Sequence, residues 1–259
     1  MLRTALSTLA TVRRFSCATP RRYKLYLRLL KNPGPRIAMV EALERGDVDL
    51  LAAGFPRSGN TYLTWLIKRA FPDLAFAHHL HNTAALELAW THQLPTYTPF
   101  RSPEDSVASL VLKNINARNN FYRFDLMRGA HRNPAILSEI YLKDYLHYHR
   151  KLLQHSDKTI LFQAEFLFRE PSIVLRHIAE AMGVSSDLFS DDYCNTLTDD
   201  YFKTKRAQSE KSTLAGGMPS AEKSMAKEKI MHQHINSNPL YKKCTETHKR
   251  LIKQSSFIA

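Results

Sequence analysis

The 259-residue sequence is poor in cysteine and has no long uncharged apolar run. Its three cysteines, Cys17, Cys194 and Cys244, lie far apart and form no C-x-x-C pair, which argues against a disulfide framework and a cysteine zinc site. This usage fits a reducing compartment, so we expect a cytoplasmic protein. Arg, Lys or His interrupts every apolar stretch before it reaches the roughly 20 residues that cross a bilayer, so a transmembrane protein is not expected.

Acidic residues are absent from positions 1–40, which contain nine arginines and lysines. One interpretation is a mitochondrial transit peptide, which would imply a mitochondrial location. The other is a basic amphipathic arm that packs on the domain or touches an acidic membrane surface, because Leu25, Tyr26, Leu29 and Leu30 recur at helical spacing. We predict such an arm over 1–40 and a single domain over 41–259, which is long enough for one sizeable core.

The charge balance favours anionic partners. Lys and Arg number 37 against 24 Asp and Glu, which gives a formal net charge of +13. Nucleic acid, acidic lipid, acidic polysaccharide and phosphorylated cofactors are all compatible with this excess.

Strand and helix patterns alternate along the chain. Residues 48–53 form an apolar run typical of a buried strand, and Leu63, Leu66 and Ile67 begin the apolar stripe of a helix that starts near Thr61. Further strands are predicted over 74–77, 95–100 and 159–162, and further helices over 40–45, 83–90, from 102, over 134–153 and over 171–183; residues 113–133 are predicted as a surface excursion and 199–229 as a polar segment. The alternation predicts an α/β, three-layer P-loop-type fold with a central, mostly parallel sheet flanked by helices.

The loop at residues 54–61 has the spacing of a phosphate-binding loop, G-x-x-x-x-G-K-[ST], but Asn60 stands in the lysine position. Backbone N–H groups at a helix N-terminus hold a phosphate without any lysine. Asn60 is too short to reach a β- or γ-phosphate, which argues against a nucleotide-dependent kinase. Arg57 supplies a cation three residues earlier.

Two motifs then resemble those of the sulfotransferases that use PAPS (3′-phosphoadenosine 5′-phosphosulfate), which share the P-loop kinase fold. Residues 56–62, Pro-Arg-Ser-Gly-Asn-Thr-Tyr, are similar to the family's Pro-Lys-Ser-Gly-Thr-Thr-Trp, and residues 101–109 match its Arg-x-Pro-x-Asp-x-x-x-Ser in full spacing. Residues 162–171 resemble the family's Tyr-Glu-Asp-Leu strand with its Asp-Pro and helix, although Ala164 replaces the tyrosine that helps hold adenine. The resemblance covers residues 48–184.

The resemblance implies PAPS as co-substrate, PAP as product and no metal. It places Arg101 and Ser109 at the 3′-phosphate and Tyr62 against adenine, although Tyr62 also fits a core aromatic at a helix start. The cofactor-binding residues it implies are Arg57, Ser58, Gly59, Asn60, Thr61, Tyr62, Arg101 and Ser109. The family's C-terminal Arg-Lys-Gly loop is not found, and Lys203, Lys205, Arg206 and Lys211 are its candidate replacements.

Transfer to an alcohol needs a base for the hydroxyl proton and cations for the developing charge. His78, His79 and His81 follow the second predicted strand, and His79 matches the family's catalytic histidine by its distance from the motif arginine. The resemblance therefore implies His79 as base, with His81 as second choice and Arg57 as the catalytic cation; His78 is expected to pack or cap. Three neighbouring histidines also fit a metal site, but acidic and cysteine partners are missing.

We therefore expect a sulfotransferase that acts on a hydroxyl acceptor, for which a carbohydrate is one candidate, and no nucleic-acid partner. The alternatives are a P-loop kinase and a non-enzymatic basic protein that binds acidic lipid or another anion.

Overall fold

The structure, a computed structural model, describes residues 8, 11–12, 14–29, 35–116, 133–210 and 221–257. Lys211 and most of the predicted excursion lie outside them. The strands are β1 (Leu50–Ala52), β2 (Phe76–His78), β3 (Thr96–Phe100) and β4 (Ile160–Gln163). The helices are α1 (Pro20–Leu29), α2 (Pro35–Arg45), α3 (Asn60–Ala70), α4 (Thr83–Thr91), α5 (Pro103–Asn116), α6 (Pro134–Gln154), α7 (Ala164–Arg169), α8 (Pro171–Ala181), α9 (Asp191–Glu210), α10 (Ala221–Ile230) and α11 (Pro239–Lys253).

The strands form one parallel sheet in the order β2-β1-β3-β4. Leu51 of β1 lies between Ala77 and Thr96, and Tyr97 of β3 pairs with Ile160. Parallel strands all end at the same edge of a sheet, and ligands of such folds bind beyond that edge. The phosphate loop, the histidines and the second motif all leave the sheet there.

Both faces of the sheet are covered by helices. Successive strand residues point to opposite faces, so Leu51 and Leu161 join one apolar cluster while Leu50 and Phe162 join the other. The first cluster includes α1, α2, α4, α5, α6, α10 and α11, and the second includes α3, α7, α8 and α9. The three-layer α/β fold with a central parallel sheet is therefore confirmed.

Three local predictions need correction, and one segment for which no element was predicted is helical. The helix predicted from residue 40 begins at Pro35, because proline at the first helical position gives up no hydrogen bond. The strand predicted from residue 74 begins at Phe76. Residues 164–167, compared with a strand, form the start of α7. The polar segment from residue 199 is the second half of α9, a largely solvated helix.

The N-terminal region packs on the domain through α1. Tyr23 and Leu27 are buried in the first cluster, and Lys24 pairs with Glu44 of α2. None of the helices in the described ranges has the length and apolar character to cross a membrane. Whether residues 1–40 are an arm or a transit peptide stays a prediction.

Candidate active site

The phosphate loop joins β1 to α3 in an unusual backbone conformation. Arg57 and Gly59 have positive φ angles of 71° and 84°, and Gly59 is the N-cap of α3. Glycine has no side chain to bond the first N–H groups of the helix, which therefore stay free to receive an anion. Gly54 is required for a different reason: a Cβ there would lie 2.3 Å from the carbonyl oxygen of Pro99 in β3.

Asn60 stabilises the loop with its side chain. Its Nδ2 donates to the carbonyl of Phe55 at 2.8 Å and to that of Gly54 at 3.3 Å, and the residue is only 4% exposed. An amide N–H₂ can donate to two converging carbonyls, which an aliphatic or ionised acidic side chain cannot do. The side chain of Asn60 thus faces the loop backbone, and its backbone N–H is the donor that it offers to a ligand.

The other loop residues fit a phosphate. Ser58 is fully buried, and its Oγ has no hydrogen-bond partner within the part of the chain that the structure describes. Thr61 is exposed in the first turn of α3. A buried hydroxyl without a partner is costly, and a phosphate oxygen would satisfy it. The donors present, namely N–H groups, hydroxyls and the Arg57 guanidinium, are those that bind phosphate oxygens.

Arg57 connects the two predicted motifs. Its Nε donates to the Oγ of Ser109 in α5 at 2.8 Å. Burial lowers the pKa of Arg57, and the positive charge of Arg101 lowers it further. The structure therefore joins Arg57 of the loop to Ser109 of α5, the helix that begins two residues after Arg101.

Arg101 is held by carboxylates. Its Nε donates to Glu165 Oε1 at 3.0 Å, and its Nη2 lies 3.7 Å from Asp105 Oδ2. Lys227 of α10 reaches the other oxygen of Asp105 at 2.5 Å. Burial raises the pKa of Asp105, but Lys227 and Arg101 outweigh burial and hold it below its usual value. An anion at Arg101 would compete with Glu165 for the guanidinium, and the side chain of Glu165 is 56% exposed.

No feature of the sequence indicated that Lys227 contacts the second motif, because no local pattern distinguishes it from the other lysines of a polar helix. The predicted alternatives among the described residues lie on helix α9. Lys203 pairs with Asp200 at 4.0 Å, and Lys205 donates to Gln208 within the same helix, α9. Arg206 lies on that helix as well.

Tyr62 is a buried aromatic. It is 1% exposed, its hydroxyl lies 2.6 Å from Thr198 Oγ1, and Phe168 stacks on its ring with centroids 4.6 Å apart. Adenine cannot occupy the face that Phe168 covers. The structure thus favours the core interpretation of Tyr62, while Phe168, 40% exposed, presents an aromatic surface that the motif comparison did not identify.

His81 bonds to the phosphate loop. Its Nδ1 lies 2.8 Å from the carbonyl oxygen of Gly54, so Nδ1–H is the donor and Nε2 carries the lone pair. Burial lowers the pKa of His81 to about 4, with further lowering by His79, Arg36 and Lys113. The ring is therefore neutral at physiological pH.

His79 lies beside it, with ring centroids 5.7 Å apart and a positive φ of 56°. Burial lowers its pKa, as do the positive charges of Lys68, Arg36 and Lys113. His78 is partly buried, and its Nδ1 has no hydrogen-bond partner among the described residues. Within the same described ranges, no group of three His, Cys, Asp or Glu side chains is placed to hold a metal ion.

By sequence, the chain matches no family model and no curated protein. Among solved structures it is similar to mouse sulfotransferase SULT7A1 complexed with PAP, with 11% sequence identity and a TM-score of 0.44 over 81% of this chain and 93% of that chain. A likeness this distant carries no conclusion about function, which has to come from the residues of this chain.

Proposed function

We propose that the chain is a sulfotransferase that moves the sulfuryl group of PAPS to a hydroxyl acceptor. The hydrogen bond from Arg57 to Ser109 at 2.8 Å supports this proposal most directly, because it joins the two motifs through residues that lie 52 positions apart in the sequence. Together with Arg101, which begins the second motif, Arg57 offers cationic groups to an anion next to a helix N-terminus.

PAPS would supply an activated sulfuryl group on a 5′-phosphate. The N–H groups of residues 59–61 and the hydroxyl of Ser58 would bind that phosphate, whereas the N–H of Ser58 donates to the carbonyl of Phe55 at 3.2 Å. Arg57 would stabilise the charge that develops between the phosphate and the transferred group, and its guanidinium keeps its proton throughout. Ser109 and Arg101 would bind the 3′-phosphate.

His81 is our preferred base. The bond from Nδ1 to Gly54 fixes the tautomer in which Nε2 accepts a proton, and the same carbonyl belongs to the phosphate loop. His79 lacks such a contact among those that the structure describes, and it is the second candidate. This ranking of the two candidate bases is the reverse of the one that the family resemblance implies.

The acceptor is proposed only as a hydroxyl compound, with carbohydrate as one class. A cytoplasmic location and peripheral contact with an acidic membrane also stay proposals.

Calorimetric titration with PAP, and with ATP in the presence and absence of Mg²⁺, tests the cofactor. We expect tight, metal-independent binding of PAP and a large loss of PAP affinity in Arg101→Ala. Arg21→Ala, which removes an exposed arginine of α1, is the control and should bind PAP normally. Preference for magnesium-ATP would favour the kinase, and absence of nucleotide binding would favour the basic binding protein.

Single alanine variants of the two histidines test the base. His81→Ala should lose turnover and keep PAP affinity, whereas His79→Ala should retain much of its turnover. The opposite pattern would return the base to His79.

A further inference from the structure

Helix α6 contacts both anion-binding segments through a pair of tyrosines. The hydroxyl of Tyr145 donates to the carbonyl of Arg101 at 2.9 Å, and that of Tyr148 donates to the carbonyl of Ala53 at 3.3 Å. Both side chains are buried. One tyrosine thus reaches the start of the second motif, and the other reaches the residue that precedes the phosphate loop.

The loop is also packed against the same face of α6. Phe55 contacts Tyr145, Tyr148 and His149, with ring centroids 5.3, 6.0 and 5.4 Å apart. His149 in turn lies 3.9 Å from the ring of Tyr145 and donates from Nδ1 to its carbonyl. A change in the position of Phe55 therefore requires rearrangement of this helix face.

The two tyrosine contacts lie at different levels along the sheet. Ala53 follows β1, and its N–H donates to the carbonyl of Tyr97 in β3, so Arg101 lies four residues further along that neighbouring strand. Tyr145 and Tyr148 are three residues apart and therefore share one face of α6. One helix face thus bonds both the end of β1 and the chain that follows β3.

We propose that this tyrosine pair sets the distance between the two phosphate sites, with Tyr145 as the positioning residue for Arg101 and Tyr148 as that for the loop. The proposal rests on the proposed function, because it assigns the Arg101 side to the 3′-phosphate and the loop side to the 5′-phosphate. The two bonds differ in importance: Ala53 also accepts from Thr98 Oγ1 at 2.8 Å, so loss of Tyr148 leaves that carbonyl with a donor.

The test measures the affinities of PAP and of AMP, which lacks the 3′-phosphate, for Tyr145→Phe and Tyr148→Phe. Tyr145→Phe removes one hydroxyl and should lower PAP affinity about fivefold while leaving AMP affinity unchanged. Tyr148→Phe should lower both affinities about twofold, with the ratio unchanged. Tyr97→Phe is the control, since it removes a buried hydroxyl that bonds to His177 and belongs to the other apolar cluster; neither affinity should change.

A double-mutant cycle separates positioning from a general structural role. In an Arg101→Ala background, Tyr145→Phe should change the PAP to AMP ratio no further, because the group that it positions is gone. The inference would be refuted if Tyr145→Phe lowered the PAP to AMP affinity ratio as much in the Arg101→Ala background as in the wild type. It would also be refuted if Tyr145→Phe alone lowered both affinities equally. If the wild type itself binds PAP no better than AMP, it is the proposed function that is wrong.

Discussion

His149 makes the fold sensitive to acid, and replacing it should remove part of that sensitivity. The side chain is fully buried, Nδ1 already donates to Tyr145, and Nε2 has no hydrogen-bond partner in the described part of the chain. Protonation would place an uncompensated charge among aromatic rings, and burial accordingly lowers the pKa of His149 to about 3. His149→Phe keeps an aromatic ring at this position and removes the titrating nitrogens, together with the Nδ1–H bond to Tyr145.

The size of the stability loss in acid follows from the difference between the pKa values of His149 in the folded and unfolded states. An unfolded histidine has a pKa of about 6.5, so at pH 5 it binds a proton that folded His149 does not. Because the folded pKa is the lower one, its contribution to stability is fully present above pH 6.5 and is lost as the pH falls towards 3. Between pH 8 and pH 5, the contribution of His149 to the free energy of unfolding falls by about 2 kcal/mol.

Urea unfolding of wild type and His149→Phe at pH 8 and pH 5, followed by circular dichroism, measures this difference. The wild type should lose about 2 kcal/mol more than the variant between the two pH values. Other histidines titrate in both proteins and cancel in the comparison. Equal losses in the two proteins would refute the assignment of acid sensitivity to His149.

Three further substitutions test the site geometry. Gly54→Ala should destabilise the fold by about 3 kcal/mol in urea unfolding, because the new Cβ meets a β3 carbonyl; Gly183→Ala, with a positive φ and open space around it, should lose only about 1 kcal/mol. Asn60→Asp should be less stable in a thermal melt than Asn60→Ala, since the carboxylate would face two carbonyl oxygens; equal melting temperatures would contradict the observed contacts. Lys227→Met should raise the pKa of Asp105 in a carboxyl NMR titration, and an unchanged pKa would exclude the bond between them.

The strand, loop and helix around the first motif could be predicted from sequence because each has a local pattern. Residues 48–53 are continuously apolar, and Leu63, Leu66 and Ile67 repeat with the helical period. The start of α7 was compared with a strand because residues 162–167, Phe-Gln-Ala-Glu-Phe-Leu, resemble a strand motif of the family and are too few to show a helical period; β4 instead ends at Gln163 and α7 begins at Ala164.

The contacts that connect the site could not be predicted. Tyr145 reaches Arg101 across 44 residues and Lys227 reaches Asp105 across 122, and no spacing rule applies at such separations. The motif comparison predicted one site for Arg57, Arg101 and Ser109, and the structure has a hydrogen bond between Arg57 and Ser109. For Tyr62 the comparison left an adenine contact and a core position open, and the buried contacts of Tyr62 favour the core. The comparison also treated Asn60 as a lost lysine, whereas the amide has a bonding role of its own.

Pro99 lies within β3, and its place in the strand bears on how the phosphate loop leaves the sheet. β3 pairs with β1 at Thr96 and Tyr97, and it continues to pair with β4 at Pro99 and Phe100. The Cδ of Pro99 lies beside Gly54, on the side of β3 where β1 would otherwise continue. Proline has no N–H, so Pro99 cannot donate the backbone hydrogen bond that would continue the pairing of β3 with the chain beyond β1. A residue with an N–H at this position would allow β1 to lengthen, and the chain would then lack the bend that turns backbone amides towards an anion.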